Sequence, residues 1–450
     1  MRYIIGVLLL PILTLLILWK PVQARSFSFI RDAEIEDTIR LFGAPLFAAA
    51  GLEPSAVQVY LINDPSLNAF VAGGQKIFIN TGLLIASDNA NQVIGVIAHE
   101  TGHITGGHLA RSQDALRDAS AQSIVAFVLG AAAAVAGQAG AGGAIVAGGA
   151  QIAQRSFLRY SRIQESSADQ AALTMLDQTG QSAKGMLAFF DKLGDQEALL
   201  TASQDPYVRT HPLTRDRIDT IRAHVARSTR SNAVERPEFV ERHSRMRAKL
   251  IAFLSAPTTT FRIYPVKDNS LSSRYARSIA RHKKQETDQA LALIEGLLAE
   301  HPLDPYFHEF HGQILFESGN AEAAIAPYER AVALLPDEAL LRIGLGQAQV
   351  SVESDRYLET AVENMRRAVQ LAPDNASAWR WLGMAHGRLG NTGLASLATA
   401  ERYMLTGDFR DAAGLAARAE RDLTKGTPGW LRAQDLKIAA ERAEQRRKDK

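Results

Sequence analysis

The chain has 450 residues, 46% of them hydrophobic, with 50 basic against 48 acidic side chains and a net charge of +2. That length gives room for two or three domains with sizeable cores, and so balanced a charge argues against nucleic acid as a partner. There is no cysteine, which excludes a disulfide framework, thiolate metal ligands and a lipidated cysteine anchor.

Arg2 precedes an apolar stretch from Ile4 to Trp19, and Val22-Gln23-Ala24 offers small residues at the two cleavage-determining positions. This pattern is that of a secretory signal peptide over 1–24, cleaved after Ala24. The alternative, an uncleaved anchor, is disfavoured because the run is short for a span and holds Pro11. The mature chain is then expected in the periplasm.

Arg31 to Ala50 has the look of an amphipathic helix, with Ile35, Ile39, Leu41, Leu46 and Phe47 as its apolar positions. Val57 to Ile62 reads as a strand ending at Asn63-Asp64-Pro65. Asn68–Gly74 and Lys76–Asn80 read as two strands around a Gly-Gly turn. This hairpin is either purely structural or an edge that pairs with a substrate backbone.

Val93 to Ala98 is an apolar run leading into His99-Glu100-Thr101-Gly102-His103. On a helix, two histidines four residues apart differ by about 40° in direction and can reach one ion. Glu100 projects beside them, where a carboxylate can take a proton from water activated by zinc. The apolar approach argues against a surface helix with two solvated histidines. The pattern predicts a zinc hydrolase, for which a third protein ligand must lie elsewhere. His108 points roughly 140° from His103 on an ideal helix and is expected to be structural or in the outer sphere of the site.

Ala119 to Ala153 is rich in Ala and Gly and has no charged residue. It reads as a helical hairpin or flap leaning on a membrane surface, or as a buried core hairpin. Glu165 and Asp169 then share a helix face. Glu165 is the candidate third ligand, and Asp169 can accept the free N–H of a ligating imidazole.

H-E-x-x-H followed by E-x-x-A-D resembles the HtpX-like zinc metallopeptidases, a gluzincin-type family. Asn68-Ala69-Phe70, Asn80-Thr81-Gly82-Leu83-Leu84, Thr210-His211-Pro212 and Arg217-Ile218 fit the same pattern. The resemblance implies one Zn2+ per chain held by His99, His103 and Glu165, with Glu100 as general base. It also implies that His211 can occupy the open metal position as a regulatory fourth ligand. Arg217 is expected to orient a carboxylate or the carbonyl oxyanion, or else to form a structural ion pair.

Ala256-Pro257-Thr258-Thr259-Thr260 is the best linker candidate, dividing a metallopeptidase domain (25–255) from a repeat domain (256–450). Pro302 and Pro336 are 34 residues apart, the period of tetratricopeptide repeats (TPR). Gly312, Ala324, Tyr328 and Ala331 fall on packing positions of one unit, and Gly346, Ala361 and Ala368 on those of the next. About three extra residues separate the helices of that second unit. The expected fold is mostly α: an α+β zincin-type domain with a small sheet, followed by an α-helical TPR solenoid. A solenoid offers a concave surface for proteins. The resemblance further implies a quality-control protease acting through its TPR on outer-membrane β-barrel assembly, with chaperone-like help. The competing functional class is a non-proteolytic chaperone or adaptor with a structural zinc site.

Overall fold

The computed structural model describes residues 28–108, 111, 161–199 and 211–449. The signal-peptide expectation, the 119–153 hairpin or flap and Thr210 lie outside the described residues. Among the described residues no helix is long and apolar enough to cross a membrane.

β1 (Phe29–Ile30) leads into α1 (Ala33–Ala49), which starts where the Asp32 carboxylate accepts the Ile35 amide at 2.9 Å. Ile35, Ile39, Phe42, Leu46 and Phe47 of α1 are buried in the first core. β2 (Gln58–Ile62), β3 (Ala69–Ala72) and β4 (Lys76–Asn80) complete a four-stranded sheet of order β1-β2-β4-β3. β2 and β4 are parallel, pairing Val59 with Ile77, and β3 runs antiparallel to β4. Gly73 and Gly74 turn the hairpin at positive φ, 59° and 93°, where L side chains are strained. β3 is left at the sheet's edge, beside the next long helix.

α2 (Thr81–Ala86) and α3 (Ala90–Thr105) follow, the latter capped by Asn89 accepting from Gln92 N. Val93 to Ala98 lie wholly in the first core. A helix over 161–178, here α4, and α5 (Lys184–Leu199) flank α3. Glycine makes this contact close. A Cβ on Gly102 would sit 2.6 Å from the Ala168 carbonyl oxygen, and one on Gly95 would sit 2.8 Å from Met186 Cα. α4 can therefore lie directly on the turn of α3 that carries His99 and His103.

α6 (Arg215–Arg227) and α7 (Pro237–Leu254) close the first core. The expected linker instead holds α8 (Pro257–Ile263), since Pro257 at the first helical position has the φ a helix needs. α7 serves two cores: Met246 and Leu250 face the first core, Ala248 and Ala252 the helices that follow.

The repeats comprise α9 (Leu271–Lys283), α10 (Thr287–Glu300), α11 (Pro305–Glu317), α12 (Ala321–Leu334), α13 (Ala339–Ser351) and α14 (Leu358–Leu371). α15 (Ala376–Arg388), α16 (Thr392–Thr406), α17 (Phe409–Asp422) and α18 (Pro428–Lys448) continue them. Tyr328 packs against Gly312 and Gly344, where a Cβ would fall 2.8 and 2.7 Å from its ring. The extra residues before α14 form a short 3-10 turn, Asp355–Tyr357.

The two halves are bonded to each other. Glu34 of α1, fully buried, is 2.7 Å from Arg245 and 3.3 Å from Lys249, both on α7, and accepts from the Tyr275 hydroxyl at 3.0 Å. Arg245 reaches on to Asp304, Tyr306 donates to Asp37, and Arg40 pairs with Glu338.

Candidate metal centre

His99 and His103 of α3, Glu165 of α4 and His211, ahead of α6, are all buried and offer donor atoms within 4.8 Å of one another. His99 Nε2 is 3.1 Å from His103 Nε2 and 3.3 Å from a Glu165 oxygen. The second Glu165 oxygen is 3.4 Å from His103 Nε2. His211 Nδ1 lies 3.3 Å from His99 Nε2 and 3.2 Å from Glu165. Donors around a tetrahedral ion with bonds of about 2.0–2.1 Å stand about 3.3–3.4 Å apart. The cluster thus has the spacing and the N/O donor chemistry of a zinc site.

Contacts behind the cluster fix its members. His99 Nδ1 is 2.9 Å from Asp169, whose carboxylate accepts Arg217 Nε at 2.7 Å and Nη2 at 2.9 Å. Arg217 also donates to the Pro212 carbonyl at 2.9 Å and sits 3.0 Å from Glu165. It therefore ties the His211 segment to the two carboxylates of α4. Of the roles expected for Arg217, these contacts fit both the orientation of a carboxylate and a structural ion pair.

His108 was not expected to touch His103 specifically. α3 ends at Thr105, Gly107 turns at φ 61°, and His108 Nδ1 comes back to 3.0 Å from His103 Nδ1. A Cβ on Gly106 would fall 2.3 Å from the His108 ring. The Gly-Gly pair after the motif was the signal: helical projection does not extend through it.

Electrostatics follow from burial and pairing. Burial alone would depress His99, but hydrogen bonds to Asp169 and Glu165 override it and hold the imidazole at about 9. Burial would raise Glu165, yet His211 and His99 keep it well below the usual carboxylate range. Asp169 is likewise lowered against burial, chiefly by Arg217. Glu100 goes the other way, raised mainly by desolvation. It has no solvent exposure, and among the described residues neither of its oxygens has a hydrogen-bond partner. His211 Nε2 stands 3.6 Å from one of them. A buried, unsatisfied carboxyl beside a donor cluster is costly for folding and fits a group reserved for water or substrate.

Residues 31–225 match peptidase family M48, and 275–339 and 345–404 match a tetratricopeptide repeat family. A beta-barrel assembly-enhancing protease of Yersinia pestis is 24% identical over 417 residues, 89% of this chain and 82% of that protein. Its counterpart in Escherichia coli K12 is 25% identical over 420 residues, with the same shares. The mitochondrial metalloendopeptidase OMA1 of Schizosaccharomyces pombe is 25% identical over 176 residues, 39% of this chain and 49% of that protein. The chain is thus a metallopeptidase with an M48-type catalytic region and a C-terminal TPR array, similar to the beta-barrel assembly-enhancing proteases over nearly nine-tenths of its length.

Proposed function

We propose that the chain is a periplasmic zinc endopeptidase with a metallopeptidase unit over 25–255 and a substrate-recruiting repeat unit over 256–450. His99, His103 and Glu165 hold the metal, Glu100 is the general base, Asp169 and Arg217 position the ligands, and His211 holds the site off. The observation that carries this is the convergence of four donor atoms beside the unpartnered carboxyl of Glu100.

Bound zinc would supply a Lewis acid for a peptide carbonyl and lower the pKa of water toward neutrality. Asp169, 2.9 Å from His99 Nδ1, would take the proton on that nitrogen as its partner, which would leave Nε2 to face the metal. Glu100 takes a proton from the attacking water and returns it to the leaving amine. Strand β3, at one edge of the sheet formed by the described residues, is where an extended substrate would pair. His211 would fill the position that substrate needs, since a catalytic zinc keeps one coordination site open. Displacing the His211 segment, which Arg217 anchors, would switch the enzyme on.

Relatives named for enhancing β-barrel assembly support a role in outer-membrane protein quality control. Misassembled barrel proteins would be the substrates, and the barrel assembly machinery a partner of the repeats. Chaperone-like assistance without cleavage belongs to the same proposal, as does peripheral contact with a membrane surface.

One observation favours a second reading: four protein ligands make a closed site, as in structural zinc centres. Casein degradation by the wild type, Glu100→Gln and His211→Ala separates the two. Glu100→Gln is expected to lose about 10²–10⁴-fold in rate while keeping its metal, and His211→Ala to gain activity. No change in either variant would leave the structural-zinc adaptor standing.

A further inference from the structure

A cavity of about 520 Å³ opens where α7 and the start of α1 meet the inner repeat helices α11, α12 and α13. None of the four metal-centre donors lines it. Its volume lies within the range of about 300–1,000 Å³ usual for ligand sites. Phe253, Phe316 and Ile343 give it apolar walls, and Asp32, Lys249 and Glu309 a polar end.

Most charges there are already matched. Lys249 is 2.8 Å from Asp32 and 3.3 Å from Glu34. Arg31, the other cation on the wall, pairs with Glu36 at 2.8 Å. Glu317 accepts from His282 and Gln313 at the rim. Glu309 is different: its Oε2 is shut off from solvent and has no hydrogen-bond partner among the described residues. Leaving a buried acceptor unmet costs about 1–3 kcal/mol, more if it is charged. With both wall cations engaged, the chemistry the cavity lacks is a cation facing Glu309.

We propose that this cavity receives a lysine or arginine side chain from a partner protein, its charge meeting Glu309 while apolar neighbours in the same segment pack on Phe253 and Phe316. The inference rests on the proposed role of the repeats in binding protein segments, and it gives that role a sequence preference. It is independent of the metal centre.

The protonation of Glu309 provides a distinctive readout. Burial raises its carboxyl to about 8; Lys249 opposes this, and Asp32, Glu34 and Glu338 reinforce it. Tyr328, itself raised by burial and by Glu309, lines the same cavity. An empty cavity therefore holds a largely protonated Glu309 at pH 7, and an arriving cation would expel that proton.

The test uses the full chain and two acetylated, amidated pentapeptides, Leu-Leu-Lys-Leu-Phe and the same peptide with norleucine for lysine. Calorimetry at pH 7 in buffers of different ionisation enthalpy reads affinity and proton release together. The lysine peptide is expected to bind about tenfold or more tightly than its norleucine counterpart, since hydrogen bonds to charged groups contribute that much. It should also release most of one proton. Glu309→Gln, nearly isosteric, should abolish both the discrimination and the proton release, and Gln347→Trp should block both peptides by filling the cavity. Thermal melts establish that each variant is folded. Equal affinity for the two peptides, discrimination that survives Glu309→Gln, or no binding of either peptide overturns the proposal. The first two results would leave the repeats as a peptide-binding array, and casein cleavage would be unaffected by any of them.

Discussion

The chain buries two dense polar clusters that solve opposite problems. At the junction of α1, α7 and the first repeats, Glu34, Arg245, Lys249, Asp32 and Asp304 neutralise one another through direct ion pairs. At the metal centre, three imidazoles and two carboxyls crowd together with Arg217, and Glu100 is left with no hydrogen bond at all. The first cluster is complete as folded. The second is costly until a cation joins it. Burial is therefore a poor guide to function by itself; the buried carboxyls left unmatched among the described residues, Glu100 here and Glu309 at the repeat cavity, are the ones that point to a binding site.

Removing one member of the complete cluster should give the largest stability effect. Glu34→Ala strips Arg245 and Lys249 of a shared partner and leaves both cations buried. Breaking a buried pair in this way costs about 3–5 kcal/mol. Urea unfolding should show a large drop in midpoint, while metal binding at the distant centre is retained. A drop below about 1 kcal/mol would mean that the junction is solvated in solution and that the comparison fails on its first side.

The same contrast explains what could be anticipated from residues alone. The clustering of donor groups was legible because H-E-x-x-H forces two imidazoles onto one helix face, and the spacing of Glu165 and Asp169 puts both on one face of another. The repeats were legible because Pro302 and Pro336 mark a 34-residue period. The junction was not. Glu34 and Arg245 are 211 residues apart, and each alone resembles a solvated charge on an amphipathic helix. α7 escaped for a related reason: its two buried faces serve different cores, a distinction that periodicity does not encode.

Acid should separate charged burial from neutral burial. The complete cluster holds Glu34 below the usual carboxylate range against its own burial, through Arg245 and Lys249. Its contribution is present above that range and is lost only as pH falls through the lowered value. His243 behaves differently. Burial, helped by Arg247, lowers it to about 4, and its Nε2 is 2.7 Å from the Ser87 hydroxyl. The unfolded chain takes up this proton near 6.5 and the folded chain only near 4. Stability from His243 is therefore complete above about 6.5 and falls by about 3 kcal/mol as pH drops toward 4. Denaturation of metal-free protein at pH 7 and 4.5 should show this loss, and His243→Gln should remove it. An equal pH dependence in the variant would assign the loss to other groups.

The smallest expected effect lies inside the metal centre, where the two imidazoles of α3 are held by different chemistry. His99 Nδ1 faces the Asp169 carboxylate, whereas His103 Nδ1 faces another imidazole, that of His108. With His103 Nε2 directed at the metal, His103 Nδ1–H donates and His108 Nδ1 accepts, so His108 keeps its own proton on Nε2. Loss of such an outer contact typically costs 10–100-fold in metal affinity, about 1.4–2.7 kcal/mol. His108→Ala should weaken zinc binding by that factor in a chelator competition and shift the spectrum of the cobalt-substituted protein. The metal-free chain should unfold almost as before. Gly106→Ala should produce the same loss through geometry alone, because its Cβ would fall 2.3 Å from the His108 ring. If both variants hold zinc as tightly as the wild type, His103 needs no partner, and the helix α3 alone sets its direction.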